Sequence, residues 1–371
     1  MSKTGTTTIN LKTKLNLDEL RLGINTIDSQ LLKLLNERME LVKKVGVLKH
    51  KTNTVVYRPE REKEIISRLS TENNGLLSPK AIEAIFLEIF ATARNIELPE
   101  KIAYMGPKGS FTHQAAESRF GALGDYIMLP SIKSVFEAVD TERARFGVIP
   151  IENNQAGIVY ETVDLLNEMD VSIVAELKLS IHFALGSMAN KMTDIKRIYS
   201  KDIAFRQCRG FLNKYFEQQD IEEIQVESTS KAAKMASEDP ESAAICSEIA
   251  AKLFGLPMVF QNIEDNSNNR TRFFILAKEF ENQPSGNDKT TMIARLQNTE
   301  TSGVLADFLN EFKQNEINIT KIESRPYKGS QEFNFWFFIE VMGNYKEKNL
   351  ADVLAKYPKE IKILGSYVKN I

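Results

Sequence analysis

The hydrophobic positions of the first part of the chain repeat with helical spacing. Apolar side chains recur every three or four positions from Leu17 to Leu48, which predicts one amphipathic helix of about 30 residues and about 45 Å. Two shorter helices are predicted over about Pro59–Ser70 and Ser78–Asn95. They are too short to cover the long helix, so an all-helical domain over residues 1–97 is expected to complete its core by dimerising.

From about residue 101 to residue 279, short apolar strands alternate with helices. Predicted strands cover residues 102–106, 146–151 and 272–277, among others, and helical segments lie between them. Alternation of this kind is typical of an α/β fold with mainly parallel sheets. The number of such units predicts two lobes around a cleft, a layout like that of periplasmic binding proteins.

The last part of the chain has a different pattern. Residues 281–289 are polar and rich in turn-forming residues, which indicates a linker. Residues 289–371 then follow the order strand, helix, strand, strand, helix, strand, which is the βαββαβ arrangement of an α+β ferredoxin-like domain. We therefore expect three domains, over residues 1–97, 101–279 and 289–371.

Composition and charge narrow the class of protein. A hydrophobic content of 42% and a charged content of 26% are typical of globular proteins, and a formal net charge of −2 without a single-sign block argues against a nucleic-acid or membrane surface. Two cysteines, Cys208 and Cys246, are too few for a disulfide framework, and the three histidines lack metal-ligand spacing. A cytoplasmic protein without a metal site is expected.

Cations on the long helix form a candidate anion site. Arg38 and Lys49 lie on nearly the same helix face, about 16 Å apart along the axis, so they could hold a small dianion between them. The alternative is that both are ordinary solvated charges. Arg21 points about 100° away from Arg38, so only an antiparallel partner helix could bring it to the same site.

Residues 17–97 resemble the all-helical chorismate mutase family. The resemblance rests on the segments 20–38, 45–49 and 57–62, and it implies a dimer that rearranges chorismate to prephenate. Such a pericyclic step requires only that the compact conformer be held and that charge on the ether oxygen be stabilised. Arg58 stands where the family often has an aspartate that contacts the substrate hydroxyl. The other implied ligands are Arg21, Arg38, Lys49 and Arg61, with Glu97 beside the ether oxygen.

Four polar segments lie at the ends of predicted strands of the middle part, at residues 106–112, 148–157, 227–233 and 265–273. Each alone is an ordinary loop, but polar groups at strand ends are the usual ligand positions of open α/β sheets. Together they resemble the prephenate dehydratase family, and the similarity covers residues 101–278. Its most specific mark is the segment Asn269-x-Thr271-Arg272-Phe273.

The resemblance implies the decarboxylative dehydration of prephenate to phenylpyruvate without a cofactor. Thr271 takes the position of the family's catalytic threonine, which holds and protonates the departing hydroxyl. Arg272 could add a charge-assisted bond to the substrate or a structural one. The implied substrate-binding residues also include Ser110, Thr112, Glu152, Asn153, Asn154, Ser228, Thr229 and Asn269.

The C-terminal segment resembles the ACT domains that are appended to prephenate dehydratases. Residues 323–326 carry the intact phenylalanine-site motif, and residues 301–305 partly match the glycine-led helix start. The resemblance implies that phenylalanine binds between two such domains of a homodimer or homotetramer and inhibits the dehydratase. The implied effector residues are Gly303, Val304, Leu305, Glu323, Ser324, Arg325 and Pro326.

Two alternatives remain open at this point. The middle domain could prefer arogenate, the amino form of prephenate, or the chain could be a non-catalytic phenylalanine-sensing binding protein. The intact Thr271 and mutase cations favour an enzyme, and the fused mutase favours prephenate because prephenate is its own product. We therefore expect a bifunctional enzyme of phenylalanine biosynthesis.

Overall fold

The structure is a computed structural model, and it does not describe every residue of the chain. For residues 49–52 and 59 the structure describes the backbone but not the side chains. Lys49 is therefore described without its side chain, and Arg58 lies outside the described residues. The described ranges are 16–52, 59–97, 100–297, 301–327 and 334–369. They fall into two compact units, which consist of residues 17–52 with 96–97, and of residues 59–95 with 100–369.

The three helices predicted for the N-terminal part are confirmed, and the first is longer than expected. Shorter helices occur in the rest of the chain. The helices of the described residues are α1 (Leu17–Thr52), α2 (Pro59–Glu72), α3 (Pro79–Glu97), α4 (Phe111–Phe120), α5 (Ile132–Asp140), α6 (Tyr160–Glu168), α7 (Asp202–Gln207), α8 (Arg209–Phe216), α9 (Thr229–Glu238), α10 (Glu248–Leu253), α11 (Val304–Gln314) and α12 (Lys348–Leu354).

The strands form three sheets. They are β1 (Lys101–Met105), β2 (Asp125–Leu129), β3 (Phe146–Asn153), β4 (Gly157–Ile158), β5 (Ser172–Ser180), β6 (Ala184–Ser187), β7 (Arg197–Ser200), β8 (Glu222–Gln225), β9 (Ser242–Cys246), β10 (Met258–Gln261), β11 (Arg270–Ala277), β12 (Asp288–Ala294), β13 (Ile319–Pro326), β14 (Phe335–Met342) and β15 (Ile361–Val368).

Two of the sheets form the lobes of the middle part. The first has the strand order β2-β1-β3-β11-β5, with β4 paired to β3, and the second has the order β10-β6-β9-β7-β8. In each sheet two strand pairs are parallel, but the pairs β3–β11, β5–β11, β6–β9 and β6–β10 are antiparallel. The prediction of mainly parallel sheets was therefore wrong.

The antiparallel pairs follow from how the chain moves between the lobes. It leaves the first sheet along β5, builds the second sheet, and returns along β11, which lies between β3 and β5. An outgoing strand and an adjacent returning strand run in opposite directions. This arrangement places the start of β11, with Thr271, beside the end of β3, with Asn153.

Serine caps set the starts of four helices around these sheets. The side chains of Ser110, Ser131, Ser228 and Ser247 each accept a hydrogen bond from a backbone N–H in the first turn of α4, α5, α9 or α10. Such a cap satisfies one of the backbone donors that a helix N-terminus leaves without a partner, and it stabilises the helix by about 1 kcal/mol.

The C-terminal sheet has the order β13-β14-β12-β15 with antiparallel pairs, and α11 and α12 complete the predicted βαββαβ order. It shares one hydrophobic core with the first lobe, because Trp336, Phe338 and Tyr367 pack with Phe274. Strand β15 lies so close to β5 that a Cβ atom on Gly365 would come within 2.1 Å of the Ile173 carbonyl oxygen. The C-terminal sheet is therefore packed directly on the dehydratase-like part.

The segment predicted as a linker is held in place at both ends. Asn282 is buried, and its side-chain amide donates to the carbonyl oxygens of Val174 and Ser366, both at 2.8 Å. Asp288, at the start of β12, accepts hydrogen bonds from Ser285 and from Asn344. Within residues 281–289, only the middle part is therefore exposed like an ordinary linker.

Helices α2 and α3 pack against α4. The Glu62 carboxylate pairs with the guanidinium groups of Arg94 and Arg119, and both arginine side chains are buried. Gly121 ends α4 with φ 84°, and a Cβ atom there would lie 2.7 Å from the Ala91 Cβ. Helix α4 is thus fixed by contacts at its C-terminal end.

Candidate active sites

The first unit brings two of the predicted mutase residues together. Glu97 packs beside α1, where a Cβ atom on Gly46 would lie 3.4 Å from the Glu97 Cγ. Partial burial lowers the pKa of Arg38, and the nearby Glu97 carboxylate opposes that shift. The electrostatic interaction shows that the carboxyl and guanidinium groups share one region, as a site with both groups requires.

The remaining predicted mutase cations lie on surface positions or outside the description. Arg21 is largely exposed and lies 3.6 Å from the Asp18 carboxylate, and Arg61 lies 2.7 Å from the Glu64 carboxylate. Arg58 and the Lys49 side chain lie outside the described residues. Along α1 itself, apolar side chains such as Leu31 and Leu34 are more than half exposed.

The centre of the second candidate site is the contact between Asn153 and Thr271. These residues pair across β3 and β11, and the Asn153 Nδ2 donates to the Thr271 Oγ1 at 2.9 Å. The same amide nitrogen donates to the Asn269 Oδ1 at 2.8 Å. Asn153 therefore makes hydrogen bonds to two other residues that the sequence predicted for the same site.

The orientation of the Asn153 amide is determined by its neighbours. Its Oδ1 accepts the backbone N–H groups of Gln155 at 2.9 Å and Ala156 at 3.0 Å, so the oxygen and nitrogen cannot be exchanged. The nitrogen must therefore be the atom that faces Thr271. Because the Thr271 Oγ1 accepts this hydrogen bond, its own hydroxyl hydrogen is directed elsewhere.

A chain of side-chain amides continues from this contact into the second lobe. The Asn269 Nδ2 donates to the Gln207 Oε1 at 3.1 Å, and the Gln207 Nε2 donates to the Gln155 Oε1 at 2.9 Å. Gln207 ends α7, while Gln155 follows β3. The chain therefore links the two lobes across the cleft. The sequence analysis did not include Gln207 among the site residues. The only local signal was its position at the polar end of a helix, next to Cys208.

Asn154 supports the same loop from its other side. Its Oδ1 accepts the Arg270 backbone N–H at 2.9 Å, and its Nδ2 donates to the Asn268 carbonyl oxygen at 2.5 Å. Both bonds tie the end of β3 to the start of β11. These contacts explain the Asn154 side chain as part of the loop structure, next to the candidate substrate position.

The turn before α4 is held by both lobes. The Ser230 and Ser247 hydroxyls of the second lobe donate to the carbonyl oxygens of Lys108 and Gly109. The Ser110 hydroxyl donates to the Met105 carbonyl oxygen at 3.3 Å and caps α4. The turn is therefore rigid, and it presents the N-terminus of α4 to the cleft.

Several predicted substrate-binding side chains have structural roles of this kind. Thr112 is buried in the first turn of α4, Ser228 caps α9, and Thr229 is buried next to that cap. Their contribution to a ligand would come from backbone N–H groups. The backbone N–H groups of Phe111 and Thr112 have no acceptor among the described residues, as is usual at the start of a helix.

His113 contacts the turn that precedes α4. The Gly109 backbone N–H donates to its Nδ1 at 3.2 Å, so Nε2 carries the hydrogen and faces the Glu117 carboxylate at 3.3 Å. The ring stacks on Tyr104 with 4.6 Å between centroids. Burial, with Lys108 nearby, lowers the pKa of His113 to about 4. The sequence alone, which showed only that the histidines lack metal-ligand spacing, did not indicate this contact with the turn.

This depressed pKa predicts a loss of stability in mild acid. Between pH 6.5, the ordinary value for histidine, and about pH 4 the unfolded chain binds a proton at His113 that the folded chain does not, so the free energy of unfolding falls as pH falls. His113→Gln should therefore flatten the pH dependence of the thermal midpoint between pH 6.5 and 4. The matched control is His182→Gln, at a more exposed ring. An unchanged slope in His113→Gln would contradict the assignment.

Glu152 and Arg272 lie on the opposite face of their strands from Asn153 and Thr271. The Arg272 Nε donates to the Glu152 Oε1 at 2.8 Å, and Lys321 of β13 pairs with the other Glu152 oxygen. Burial acts to raise the pKa of Glu152, but Arg272 and Lys321 together lower it. The ionised Glu152 is thus engaged by two cations of the protein, and the geometry favours the structural alternative for Arg272.

The predicted phenylalanine motif lies on β13, at the edge of the C-terminal sheet. Glu323 accepts the Tyr160 hydroxyl at 3.0 Å, and Arg325 makes two hydrogen bonds to Asp164 at 3.0 and 2.9 Å. Ser324 and Pro326 alternate with them and are exposed. The other predicted phenylalanine-site residues are Gly303, Val304 and Leu305. Gly303 is the N-cap of α11 and has a φ of 94°, and Val304 and Leu305 are the first residues of that helix.

The described residues form neither a metal site nor a membrane-spanning helix. Within the described part of the chain, no group of three or more His, Cys, Asp or Glu side chains is arranged to hold a metal ion. The helices of the described ranges also include none that is both long and apolar enough to cross a membrane.

Comparison with known proteins relates these sites to two families. Residues 20–98 match chorismate mutase type II, and residues 102–281 match prephenate dehydratase. The bifunctional chorismate mutase/prephenate dehydratase of Aquifex aeolicus (strain VF5) is 37% identical over 362 residues, which cover 96% of this chain and 98% of that protein.

Two solved structures are similar to most of the chain. A protein described as a novel type of quorum quenching acylase has a TM-score of 0.65 at 27% identity and covers 73% of this chain and 98% of its own. The prephenate dehydratase of Arthrobacter aurescens in complex with L-Phe has a TM-score of 0.64 at 27% identity and covers 72% of this chain and 90% of its own.

The two family matches and a relative of nearly full length therefore agree on two activities for this chain. The enzyme converts chorismate to prephenate and prephenate to phenylpyruvate, two steps of phenylalanine biosynthesis. The chain belongs to the bifunctional chorismate mutase/prephenate dehydratase family.

Proposed function

We propose that Thr271 is the proton donor of the dehydratase reaction and that Asn153 directs its hydroxyl. The observation that carries this proposal is the hydrogen bond from the Asn153 Nδ2 to the Thr271 Oγ1. A hydroxyl that accepts from a fixed amide keeps its hydrogen for a third partner. In the reaction, that partner is the departing 4-hydroxyl of prephenate.

The bond changes of the reaction define what the site must supply. The ring carboxylate leaves as carbon dioxide, its C–C bonding pair moves into the ring, and the C–O bond to the 4-hydroxyl breaks. The oxygen leaves with the electron pair of that bond and needs one proton to become water. Thr271 donates that proton in the transition state, and solvent restores it afterwards.

The substrate carboxylates need donors in the same cleft. The backbone N–H groups of Phe111 and Thr112 at the start of α4 suit one of them, because a helix N-terminus favours negative charge. The rigid turn held by Ser230 and Ser247 keeps these donors in place. Positioning of this kind supplies much of the rate enhancement when the reaction needs little covalent help.

The mutase reaction is assigned to the cations of α1 and α2. Arg38, Lys49 and Arg61 of one chain, together with Arg21 from an antiparallel partner helix, bind the two carboxylates of chorismate. Protonated Glu97 donates to the ether oxygen, because only the acid form carries a hydrogen. The proximity of Arg38 and Glu97 and the exposed apolar side chains along α1 support a dimeric site.

The C-terminal sheet is assigned as an ACT domain that binds phenylalanine and lowers the dehydratase rate. Its βαββαβ order, the motif at residues 323–326 on an edge strand, and the complex of the Arthrobacter aurescens relative with L-Phe support this. The ligand inhibits if it binds the low-activity arrangement more tightly than the active one. The dehydratase substrate is prephenate rather than arogenate, because the fused mutase makes prephenate.

A ligand titration tests the regulatory part of this proposal. Saturating L-phenylalanine should lower the dehydratase rate and raise the thermal midpoint, since 100-fold excess over Kd stabilises by about 2.7 kcal/mol. D-phenylalanine is the matched control, and arogenate is compared with prephenate as substrate in the same assays. A rate and a midpoint that do not respond to L-phenylalanine would exclude the effector site, and a higher kcat/KM with arogenate would exclude the prephenate assignment.

A further inference from the structure

Six charged side chains from six different strands form one cluster next to Thr271. Glu152, Glu176 and Arg272 come from the first lobe, and Lys289, Lys321 and Glu340 come from β12, β13 and β14 of the C-terminal sheet. The charged groups of Glu176, Glu340, Arg272 and Lys289 are nearly excluded from solvent.

The contacts of the cluster centre on Arg272. Its Nη1 lies 2.9 Å from a Glu176 oxygen and 2.7 Å from a Glu340 oxygen, in addition to the contact with Glu152. Lys289 bridges the same two carboxylates, at 2.8 Å from Glu176 and 3.3 Å from Glu340. The guanidinium group also lies over the Phe274 ring, 5.1 Å from its centroid.

Neither sheet brings a balanced set of charges to this cluster. The three side chains of the first lobe carry two negative charges and one positive charge, whereas the three of the C-terminal sheet carry two positive charges and one negative charge. Only the two sheets together give equal numbers of both signs. Because an unpaired buried charge costs several kcal/mol, the first lobe depends on the C-terminal sheet to keep Glu176 and Glu152 ionised beside Arg272.

The cluster is connected to the reacting hydroxyl through the pairing of two strands. Thr271 pairs with Asn153, and Arg272 pairs with Glu152 in the next register position. Successive side chains of a strand point to opposite faces, so Arg272 and Glu152 fix the backbone whose other face presents Thr271 and Asn153. A shift of the C-terminal sheet would therefore reach the site through Arg272.

We infer that Glu340, Lys289 and Lys321 of the C-terminal sheet are positioning residues for the dehydration, acting through Arg272 and Glu152 on Thr271. This inference rests on the proposed role of Thr271. It gives the C-terminal sheet a direct part in the chemistry, in the absence of any effector.

Strand β13 extends the same set of contacts towards the phenylalanine motif. Lys321, Glu323 and Arg325 alternate along one face of β13, and all three contact the first lobe. Glu323 and Arg325 reach Tyr160 and Asp164 of α6. Movement of β13 on effector binding would therefore act on the Lys321–Glu152 contact and slow the dehydration.

The test compares kcat and KM for prephenate in Glu340→Gln, Lys321→Met and Lys321→Arg, with the mutase rate of the same preparations as an internal reference. Glu340→Gln should lower the dehydratase kcat about 10- to 100-fold, because small displacements of reacting groups have effects of this size. Lys321→Met, at a partly exposed position that is less prone to misfolding, should lower it about 3- to 30-fold. KM should stay within about twofold, and Lys321→Arg should restore most of the rate because it keeps the charge.

The matched control is Glu281→Gln, which removes a surface ion pair with Lys346 at 2.8 Å near the same sheet. It should leave the dehydratase kcat unchanged. All assays are made well below the thermal midpoint of each variant, so that a loss of folded protein does not imitate a loss of kcat. Thr271→Ala is assayed in parallel.

The outcomes separate this inference from the proposal on which it rests. If Thr271→Ala abolishes dehydration while Glu340→Gln and Lys321→Met keep the wild-type kcat, the role of the C-terminal sheet is wrong and that of Thr271 survives. If Thr271→Ala keeps dehydration, the site assignment itself is wrong. Equal effects of Lys321→Met and Lys321→Arg would also overturn the inference, since they would show that the charge is not what matters.

Discussion

Replacing Thr271 with alanine is expected to lower the dehydratase kcat by about 10²- to 10⁴-fold, the range over which positioned proton donors act. The departing hydroxyl would then leave without a proton from the protein. The side chain is only partly buried at the start of β11, so the substitution removes a hydroxyl from the cleft without opening a cavity in the core. Prephenate made from chorismate should accumulate, because the mutase site lies in other residues.

A series at the same position separates the hydroxyl from the shape of the side chain. Thr271→Ser keeps the hydroxyl and should retain activity within about tenfold of wild type, whereas Thr271→Val keeps the shape and should lose as much as alanine. The measurement is the rate of phenylpyruvate formation from prephenate, with the mutase rate as a control for folded enzyme. A Thr271→Val enzyme as active as Thr271→Ser would contradict the role of the hydroxyl.

Asn153→Asp should have the second largest effect, about 10²- to 10³-fold on the dehydratase kcat, comparable with the loss of a fixed donor in other active sites. The new carboxylate still accepts the N–H groups of Gln155 and Ala156, but the hydrogen bonds that the Asn153 amide donates to the Asn269 Oδ1 and the Arg270 carbonyl oxygen are lost with the one to Thr271. Its other oxygen cannot donate to Thr271, and the Thr271 hydroxyl would turn its hydrogen towards that oxygen and away from the substrate.

The pH dependence of this variant provides a second readout. As the pH falls towards the pKa of the new carboxyl group, its protonated form can again donate to Thr271, so the variant should regain part of its rate relative to wild type. Asn266→Asp is the matched control, because Asn266 is exposed and uses only its oxygen, to accept the Asn268 N–H at 2.9 Å. A kcat within threefold of wild type in Asn153→Asp would show that Thr271 does not need this donor.

Local patterns predicted most of the elements and three members of the site. The spacing of apolar residues gave α1, which the structure confirms. The polar strand ends and the family resemblance indicated Thr271, Asn153 and Asn269; the structure joins Asn153 to both of the others by hydrogen bonds, and their role as a site stays a prediction. Patterns of this kind depend on residues that are close in sequence or lie at the same edge of one sheet.

Pairing across the lobes could not be predicted in the same way. Strand β11 lies between β3 and β5 only because the chain returns from the second lobe, so the antiparallel pairs and the contact of Gln207 with Asn269 depend on tertiary arrangement. Residues 125–129 and 132–140 were also not recognised as β2 and α5.

The charged cluster left a signal in the sequence that could have been used. Glu340 interrupts a strand that is otherwise apolar, Glu176 interrupts the apolar run from Ile173 to Leu177, and buried carboxylates require partners. The sequence therefore indicates that such partners exist, but it does not identify them. Lys289 and Arg272 are separated from Glu340 by 51 and 68 positions, and only the packing of two sheets brings them together.

The most direct test of the account is a double-variant cycle between Asn153 and Thr271, with the dehydratase kcat as the measured quantity. If Asn153 acts by directing the Thr271 hydroxyl, Asn153→Asp should lower kcat strongly in the wild-type background but by less than about threefold in Thr271→Val, because the directed hydroxyl is already gone. If the two losses instead multiply, the residues act independently, and Asn153 does not work through Thr271.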